Sequence, residues 1–203
     1  MVGDARDDRQ AKAALRAQAR SRRAALSPAV RTAHGRAMAG HAWDLIRARL
    51  PLAGPVACTW SMPTEPPTDP LITQLLQAGI EVVTPRIVDG LQLHWIRTTV
   101  DTELRAGPLG IRTPEGMAGV ELAGCSVVVV PALALDRSGN RLGQGGGYFD
   151  RALAELPPHA HGGPLRIGMA FADEILPELP REEHDQGVDL ILTQEGVRPA
   201  LGG

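Results

Sequence analysis

The chain has 203 residues, among them 23 glycines and 17 prolines, and a net charge of −2. That balance speaks against a general role on nucleic acid or at a membrane surface, and no apolar stretch approaches the ~20 residues needed to span a bilayer. A chain of this length buries about 70% of its unfolded surface, so it needs neither disulfides nor a metal to fold. It is read as one domain over 1–203, with loose ends at 1–8 and 199–203.

The N-terminus lacks the apolar core of a secretory signal, so the expected location is the cytoplasm. Residues 9–26 follow as a helix, rich in Ala, Arg and Gln and free of Gly and Pro. Lys12, Arg16, Arg20 and Arg23 recur at spacings of three and four and share one face, for which a solvated basic stripe is the ordinary reading. Lys12 is the only lysine of the chain. A lone lysine in an arginine-rich composition points either to a task for a flexible ammonium or to chance. Ser27 and Pro28 read as an N-cap and a first helical residue. The second helix is expected to run to about Leu50 and to pack through Val30, Ala33, Ala37, Leu45 and Ile46.

From Pro51 the texture changes to short apolar strands alternating with helices. Strands are expected at 55–60, 80–85, 91–96, 127–135, 165–170 and 188–193. A Pro-rich loop over 62–68 leads to a short helix at 69–77, capped by Thr68 or Asp69, and 107–119 reads as a Gly- and Pro-punctuated connection. A further helix is expected at 151–156. Such alternation predicts an α/β domain, a largely parallel sheet flanked by helices, with two leading N-terminal helices packed on it. Cys58 and Cys125 each fall in a strand-like segment and are expected as buried thiols. Trp60, Trp95 and Met62 could floor a site for a flat ring or be core residues, and core is the default.

Residues 139–150 read Gly-Asn-Arg-Leu-Gly-Gln-Gly-Gly-Gly-Tyr-Phe-Asp, between a strand and a helix. Glycines let backbone N–H groups converge on an anion, and a helix start adds unpaired donors. Arg141 offers a donor fork for phosphate, and Asp150 a hard oxygen of the kind Mg²⁺ prefers. The run fits neither the Walker nor the dinucleotide fingerprint, and its spacing alone leaves a phosphate site and a plain turn both open. Residues 182–185, Glu-Glu-His-Asp, read as a solvated acidic loop or as the source of a second metal-facing carboxylate. No spacing suits zinc and no Gly-x-Ser-x-Gly elbow exists, so covalent catalysis is not indicated.

Together these segments resemble the 5-formyltetrahydrofolate cyclo-ligase family over nearly the whole chain. The strongest part is Gly139 to Arg151, similar to the pattern Gly-x-Arg-Leu-Gly-x-Gly-x-Gly-Tyr-Tyr-Asp. Lys12-Ala13-Ala14-Leu15-Arg16, Ser61-Met62-Pro63-Thr64-Glu65 with Thr68, and His184-Asp185 fall in matching order. The resemblance implies a cytoplasmic, monomeric ligase with 5-formyltetrahydrofolate as its small-molecule substrate, ATP as cosubstrate and Mg²⁺ as metal, and with no nucleic-acid or membrane partner. It would close that substrate to 5,10-methenyltetrahydrofolate, releasing ADP and phosphate, by phosphoryl activation of the formyl oxygen. It implies catalytic roles for Arg141, Tyr148 and Asp150. It assigns ATP to Lys12, Arg16, Arg141, Leu142, Gly143, Gln144, Gly145, Gly146, Gly147, Tyr148 and Phe149, folate to Trp60 and Glu65, and Mg²⁺ to Asp150 and Asp185. Phe149 stands where a second Tyr is usual, Pro66-Pro67 replace an apolar–acidic pair, and Gly146 replaces a Lys of some relatives. Another ATP-dependent ligase on the same fold, or a non-catalytic nucleotide or folate binder, are the alternatives. Keeping both Asp150 and Asp185 argues against the binder.

Overall fold

The computed structural model describes residues 5–88, 92–107 and 110–202. Helix α1 spans Ala5–Ala25 and α2 spans Pro28–Arg47, separated by the Ser27 cap, whose side chain accepts the Val30 N–H. Strands and helices follow, with eight strands in succession between α3 and the next α-helix: β1 (Val56–Ala57), α3 (Asp69–Gln77), β2 (Val82–Val88), β3 (Gln92–Thr98), β4 (Leu104–Ala106), β5 (Arg112–Pro114), β6 (Ala118–Val120), β7 (Val127–Pro131), β8 (Ala134–Asp136) and β9 (Arg141–Leu142). Then come α4 (Tyr148–Ala154), β10 (Leu165–Met169), β11 (Ile175–Leu176), β12 (Leu190–Thr193) and β13 (Gly196–Pro199). No helix among the described residues is long and apolar enough to cross a membrane.

Eight strands form the main sheet in the order β13-β12-β10-β7-β1-β2-β3-β6. The run from β12 to β2 is parallel throughout, with antiparallel pairing only at the margins, where β13, β3 and β6 attach. The expected α/β class with a largely parallel sheet therefore holds. Strand β7 shows why. Its valines alternate between two buried faces, as period-2 side chains must when helices cover both sides. Val127 and Val129 meet Met38, Ile46, Leu71 and Leu75 from α2 and α3, while Val128 and Val130 meet Leu153 from α4 with Trp95.

The chain leaves β1 towards β2 on one side, and leaves β7 towards β10 and β12 on the other. Adjacent parallel strands whose connections depart in opposite directions open a crevice at their carboxyl ends, the usual place for a ligand in such sheets.

Several local expectations are corrected. The packed face of α2 is Gly35, Met38, Ala39, Ala42 and Ile46, whereas Val30 and Ala33 face solvent. Strand β1 keeps only two residues of the expected 55–60 run. The 107–119 connection is not irregular throughout: β4 and β5 pair as a hairpin and β6 joins β3. Position 91 of the expected 91–96 strand and positions 108–109 of that connection lie outside the described residues. The ends expected to be loose fall partly outside them too; within them, Ala5 already starts α1 and Pro199 closes β13.

The first part of the glycine run is a plain turn. Strands β11, β8 and β9 make a small second sheet, and the Asp136 carboxylate accepts the N–H groups of Ser138 (2.9 Å), Asn140 (3.0 Å) and Leu179 (3.1 Å). Gly139 has φ +85°, and a Cβ there would stand 2.4 Å from the Val188 carbonyl oxygen. The remaining glycines, Gly143 to Gly147, form the loop into α4. That helix starts at Tyr148, earlier than expected, behind a left-handed Gly147 at φ +66°.

Candidate functional site

A cavity of about 540 Å³ opens where β1 and β7 end. Thr59, Trp60, Met62 and Glu65 wall it on the side of the 58–68 loop, Pro131 to Leu133 floor it, and Arg141, Gly143, Gln144 and Gly146 to Asp150 close the far side. Ile111 and Thr113 of the hairpin lean over it. Most of the lining is apolar, so a ligand there meets few but directed polar groups.

The glycine loop wraps a buried cation. The Arg141 side chain is 3% exposed, and its Nη2 donates to Asp150 Oδ1 at 2.6 Å. Its Nε is buried with no partner among the described residues. A buried guanidinium at the border of a cavity suits an anionic ligand, since it carries a fixed positive charge and a fork of donors. The glycines are also sterically required. A Cβ on Gly143 would stand 2.7 Å from Arg141 Nη1, and one on Gly146 would stand 2.6 Å from the Tyr148 ring. Gly145 sits at φ +107°. Asp150 Oδ1 also accepts the Gln186 N–H at 3.2 Å, which ties α4 to the 182–186 loop.

Helix α1 closes the loop from outside. The expected solvated basic face is only partly solvated: Lys12 and Arg23 are 4% and 1% exposed, Arg16 is half-buried and Arg20 exposed. Lys12 Nζ donates to Asp185 Oδ2 at 2.5 Å and Glu182 Oε1 at 3.1 Å. Burial pushes the Asp185 carboxyl up, but the Glu182 N–H, Lys12 and His184 together pull it below the ordinary carboxylate value. The acidic loop is therefore divided, with Glu183 and His184 in solvent and Glu182 and Asp185 turned onto Lys12. Arg16 Nε donates to the Gly143 carbonyl at 3.0 Å, and Arg20 grips Gln144. Arg23 runs inward to a buried pair with Glu174, at 2.6 and 2.7 Å, and to the Ala132 carbonyl.

The 58–68 loop is built to present Glu65. Thr68 Oγ1 donates to the Thr59 carbonyl and accepts the Ser61 N–H, so Thr68 braces the loop without capping α3 through its side chain. Glu65 is 7% exposed, and its Oε2 accepts the Met62 N–H at 2.9 Å. Pro67 lies against α2 where Gly35 has no side chain; a Cβ there would stand 2.9 Å from the proline ring. The two tryptophans part company. Trp95 is core, edge-on to Phe149, while Trp60 faces the cavity with Arg112 stacked over its ring at 4.8 Å.

The residues singled out from sequence thus divide by place. Trp60, Glu65, Arg141, Gly143, Gln144, Gly146, Gly147, Tyr148, Phe149 and Asp150 line the cavity. Lys12, Arg16 and Asp185 do not, and border the glycine loop from α1 and the 182–186 loop; Gly145, within that loop, also stays outside the lining. Leu142 is a correction. The residue is 2% exposed, packs with Ala134, Leu179 and Leu15, and its carbonyl accepts the Leu133 N–H, so it does not line the cavity. Arg20 was not singled out as a site residue, although its place four residues after Arg16 marks the same helix face. Among the described residues no group of three His, Cys, Asp or Glu side chains is placed to hold a metal ion. Mg²⁺ needs less from a protein, since one or two carboxylates and a phosphate usually suffice.

Residues 8–194 match the family model described as the 5-formyltetrahydrofolate cyclo-ligase family. The chain belongs to that family. A 5-formyltetrahydrofolate cyclo-ligase of Mycolicibacterium smegmatis is 32% identical over 91% of this chain and 94% of its own length. The mouse cyclo-ligase is 31% identical over 66% of this chain and 70% of its own. A solved 5,10-methenyltetrahydrofolate synthetase of Aquifex aeolicus superposes with a TM-score of 0.74 at 28% identity, covering 95% of this chain and 94% of that one. Within this cyclo-ligase framework, Phe149 is a departure that the fold uses. With no hydroxyl to satisfy, its ring packs on Trp95 and still borders the cavity. Pro67 of the Pro66-Pro67 pair is likewise accommodated, by Gly35 of α2.

Proposed function

We propose that this cyclo-ligase family member converts 5-formyltetrahydrofolate to 5,10-methenyltetrahydrofolate with ATP and Mg²⁺, releasing ADP and phosphate. The observation that carries the proposal is the buried Arg141, paired with Asp150 at the border of the cavity that Glu65 also lines. A hydrogen-bond-accepting wall and an anion-recognising wall therefore share one mostly apolar cavity. ATP supplies the phosphoryl group that makes the formyl oxygen a leaving group, and Mg²⁺ neutralises phosphate charge.

The chain's own residues supply position and charge, which is most of what phosphoryl chemistry asks of a protein. Arg141, the Gly143–Gly147 backbone, Lys12 and Arg16 would hold the phosphates, with Tyr148 and Phe149 at the helix start beside them. Asp150 orients Arg141 through Oδ1, and its second oxygen, with Asp185 across the Gln186 link, would hold Mg²⁺. Glu65 would accept hydrogen bonds from the pterin N–H edge, over the face of Trp60. Trp60, Met62, Leu93 and Phe149 exclude water, which strengthens each of these charges. The reaction is assigned to a cytoplasmic monomer acting on small molecules without nucleic acid or membrane. The free, buried Cys58 and Cys125 suit a reducing compartment.

The test is to mix the protein with MgATP and 5-formyltetrahydrofolate and follow methenyl absorbance together with ADP. Matched appearance of both is the expected result. ADP release driven only by another acid would point to a different ligase on this fold. Nucleotide binding without turnover would leave a binder.

A further inference from the structure

One chain of hydrogen bonds crosses the mouth of the cavity and joins its two sides. Arg20 Nη2 donates to the Gln144 backbone carbonyl at 2.9 Å, and Nη2 and Nε both reach the Gln144 side-chain oxygen, at 3.2 and 3.3 Å. The Gln144 amide nitrogen then donates to Glu65 Oε1 at 3.1 Å. Glu65 Oε2 is already taken by the Met62 N–H.

A glutamine amide is nearly symmetric in shape, but its two ends do opposite work. A guanidinium can only donate and a carboxylate can only accept, so a single orientation satisfies both neighbours. Arg20 occupies the oxygen and thereby turns the NH₂ towards Glu65. The carboxylate is then held from both ends, by its own loop and by the glycine loop. Without Arg20, the amide is free to swing away, and Glu65 loses the only one of these two anchors that comes from outside its own loop.

We propose that Arg20 is a positioning residue for folate recognition, acting through Gln144 to set the Glu65 carboxylate. This deepens the proposed function and rests on it. It also moves Gln144, which the family resemblance places on the nucleotide side, to a bridge between the two halves. Helix α1 then divides its labour within one turn: Arg16 holds the nucleotide loop, and Arg20 governs the folate wall.

The experiment is steady-state kinetics on Arg20→Ala, Arg20→Lys, Gln144→Ala and the Arg20→Ala/Gln144→Ala double variant, with thermal melts alongside. Arg20 is exposed, so its variants should melt with the wild type. Arg20→Ala is expected to raise the KM for 5-formyltetrahydrofolate about tenfold, in keeping with the loss of charge-assisted hydrogen bonds, and to hold the KM for ATP within about twofold. Arg20→Lys should fall close to Arg20→Ala, because a single ammonium does not reproduce the fork. The double variant should be no worse than Gln144→Ala, as for two residues acting in series.

A rise in the ATP KM that lysine restores would make Arg20 a charge for phosphate and overturn the proposal. Additive losses, or Arg20→Ala kinetics equal to those of an active wild type, would overturn it as well. A wild-type chain that does not turn over 5-formyltetrahydrofolate would instead fell the functional reading, and this inference with it.

Discussion

At the scale of single residues, Asp150 and the two cysteines carry opposite lessons. Asp150 answers a 3%-exposed arginine, so its removal to alanine would strip a buried cation of its acceptor and mix stability with chemistry. Asp150→Asn separates the two. The amide oxygen still accepts from Arg141, so the melting temperature should fall less than in Asp150→Ala although a buried charge is unpaired, while turnover falls by roughly 10²–10³ with the lost charge. Equal turnover in MgATP assays would reduce Asp150 to a partner for Arg141. The thiols have no such task. Burial pushes Cys58 up to about 12, against a lowering from the Thr59 backbone, and burial with the charge of Glu81 pushes Cys125 up to about 11, both from 9.0. Because the folded values are raised, their contribution to stability is complete below pH 9.0 and drains as pH rises towards the folded values. The loss is about 1.4 kcal/mol per pH unit for each thiol. Melting temperatures should therefore decline above that pH, and alkylation of the folded protein at pH 8 should leave both thiols unmodified. Rapid alkylation of native protein would refute this account.

At the scale of elements, regular pieces were legible where their signals were local. Helix α3 runs over the residues expected for it, because Asp69-Pro70 starts it and the apolar spacing carries it to Gln77. The cap at Ser27 was equally plain. Helix α2 was found, with Ile46 buried as expected, but Val30 and Ala33 at its start face solvent. It is alanine- and glycine-rich around its whole circumference, so nothing local marked Gly35 and Met38 as the inner face. The hairpin of β4 and β5 was hidden for a related reason. Its strands are three residues long, and turn-forming residues outweigh any alternation. Gly35 offers a test at this scale. Alanine there gains roughly 1 kcal/mol in helix propensity but forces the Pro67 ring outward, and overpacking of that kind costs about 1–3 kcal/mol. Gly35→Ala should therefore melt at or somewhat below the wild-type temperature, with a raised KM for 5-formyltetrahydrofolate because Pro67 leads into the Glu65 loop. An unchanged folate KM would show that the loop is set by Thr68 and Glu65 alone.

At the scale of the whole molecule, the sheet order and the helical cover place the cavity, and the sequence foretold that much: a strand, a glycine loop and a helix at a carboxyl edge. The closure by α1 was not foretold from its charges alone. Lys12, Arg16, Arg20 and Arg23 lie on one face, but only the folded chain reveals that carboxylates and carbonyls from residues 132 to 185 converge on it. A basic stripe carries no mark of what it will meet. Arg23 with Glu174 is the firmest of these attachments. Arg23→Ala would leave a buried carboxylate without its cation, a loss of about 3–5 kcal/mol, or roughly 10 °C in melting temperature for a chain of this size. A melt within a degree of wild type would mean that α1 is held by its site-facing contacts alone.

That anchor has a mechanical consequence. Arg23 is fixed deep in the protein near one end of α1, and Lys12 touches the acidic loop about three turns away. A helix rises 1.5 Å per residue, so the arm between them is roughly 16 Å, and a tilt of about 10° at the anchor sweeps the Lys12 end through roughly 3 Å. That sweep is as long as a hydrogen bond. The stiffness of that ion pair, shared with the Arg16 and Arg20 contacts along the arm, therefore enters the tolerance to which the phosphate side of the cavity is assembled.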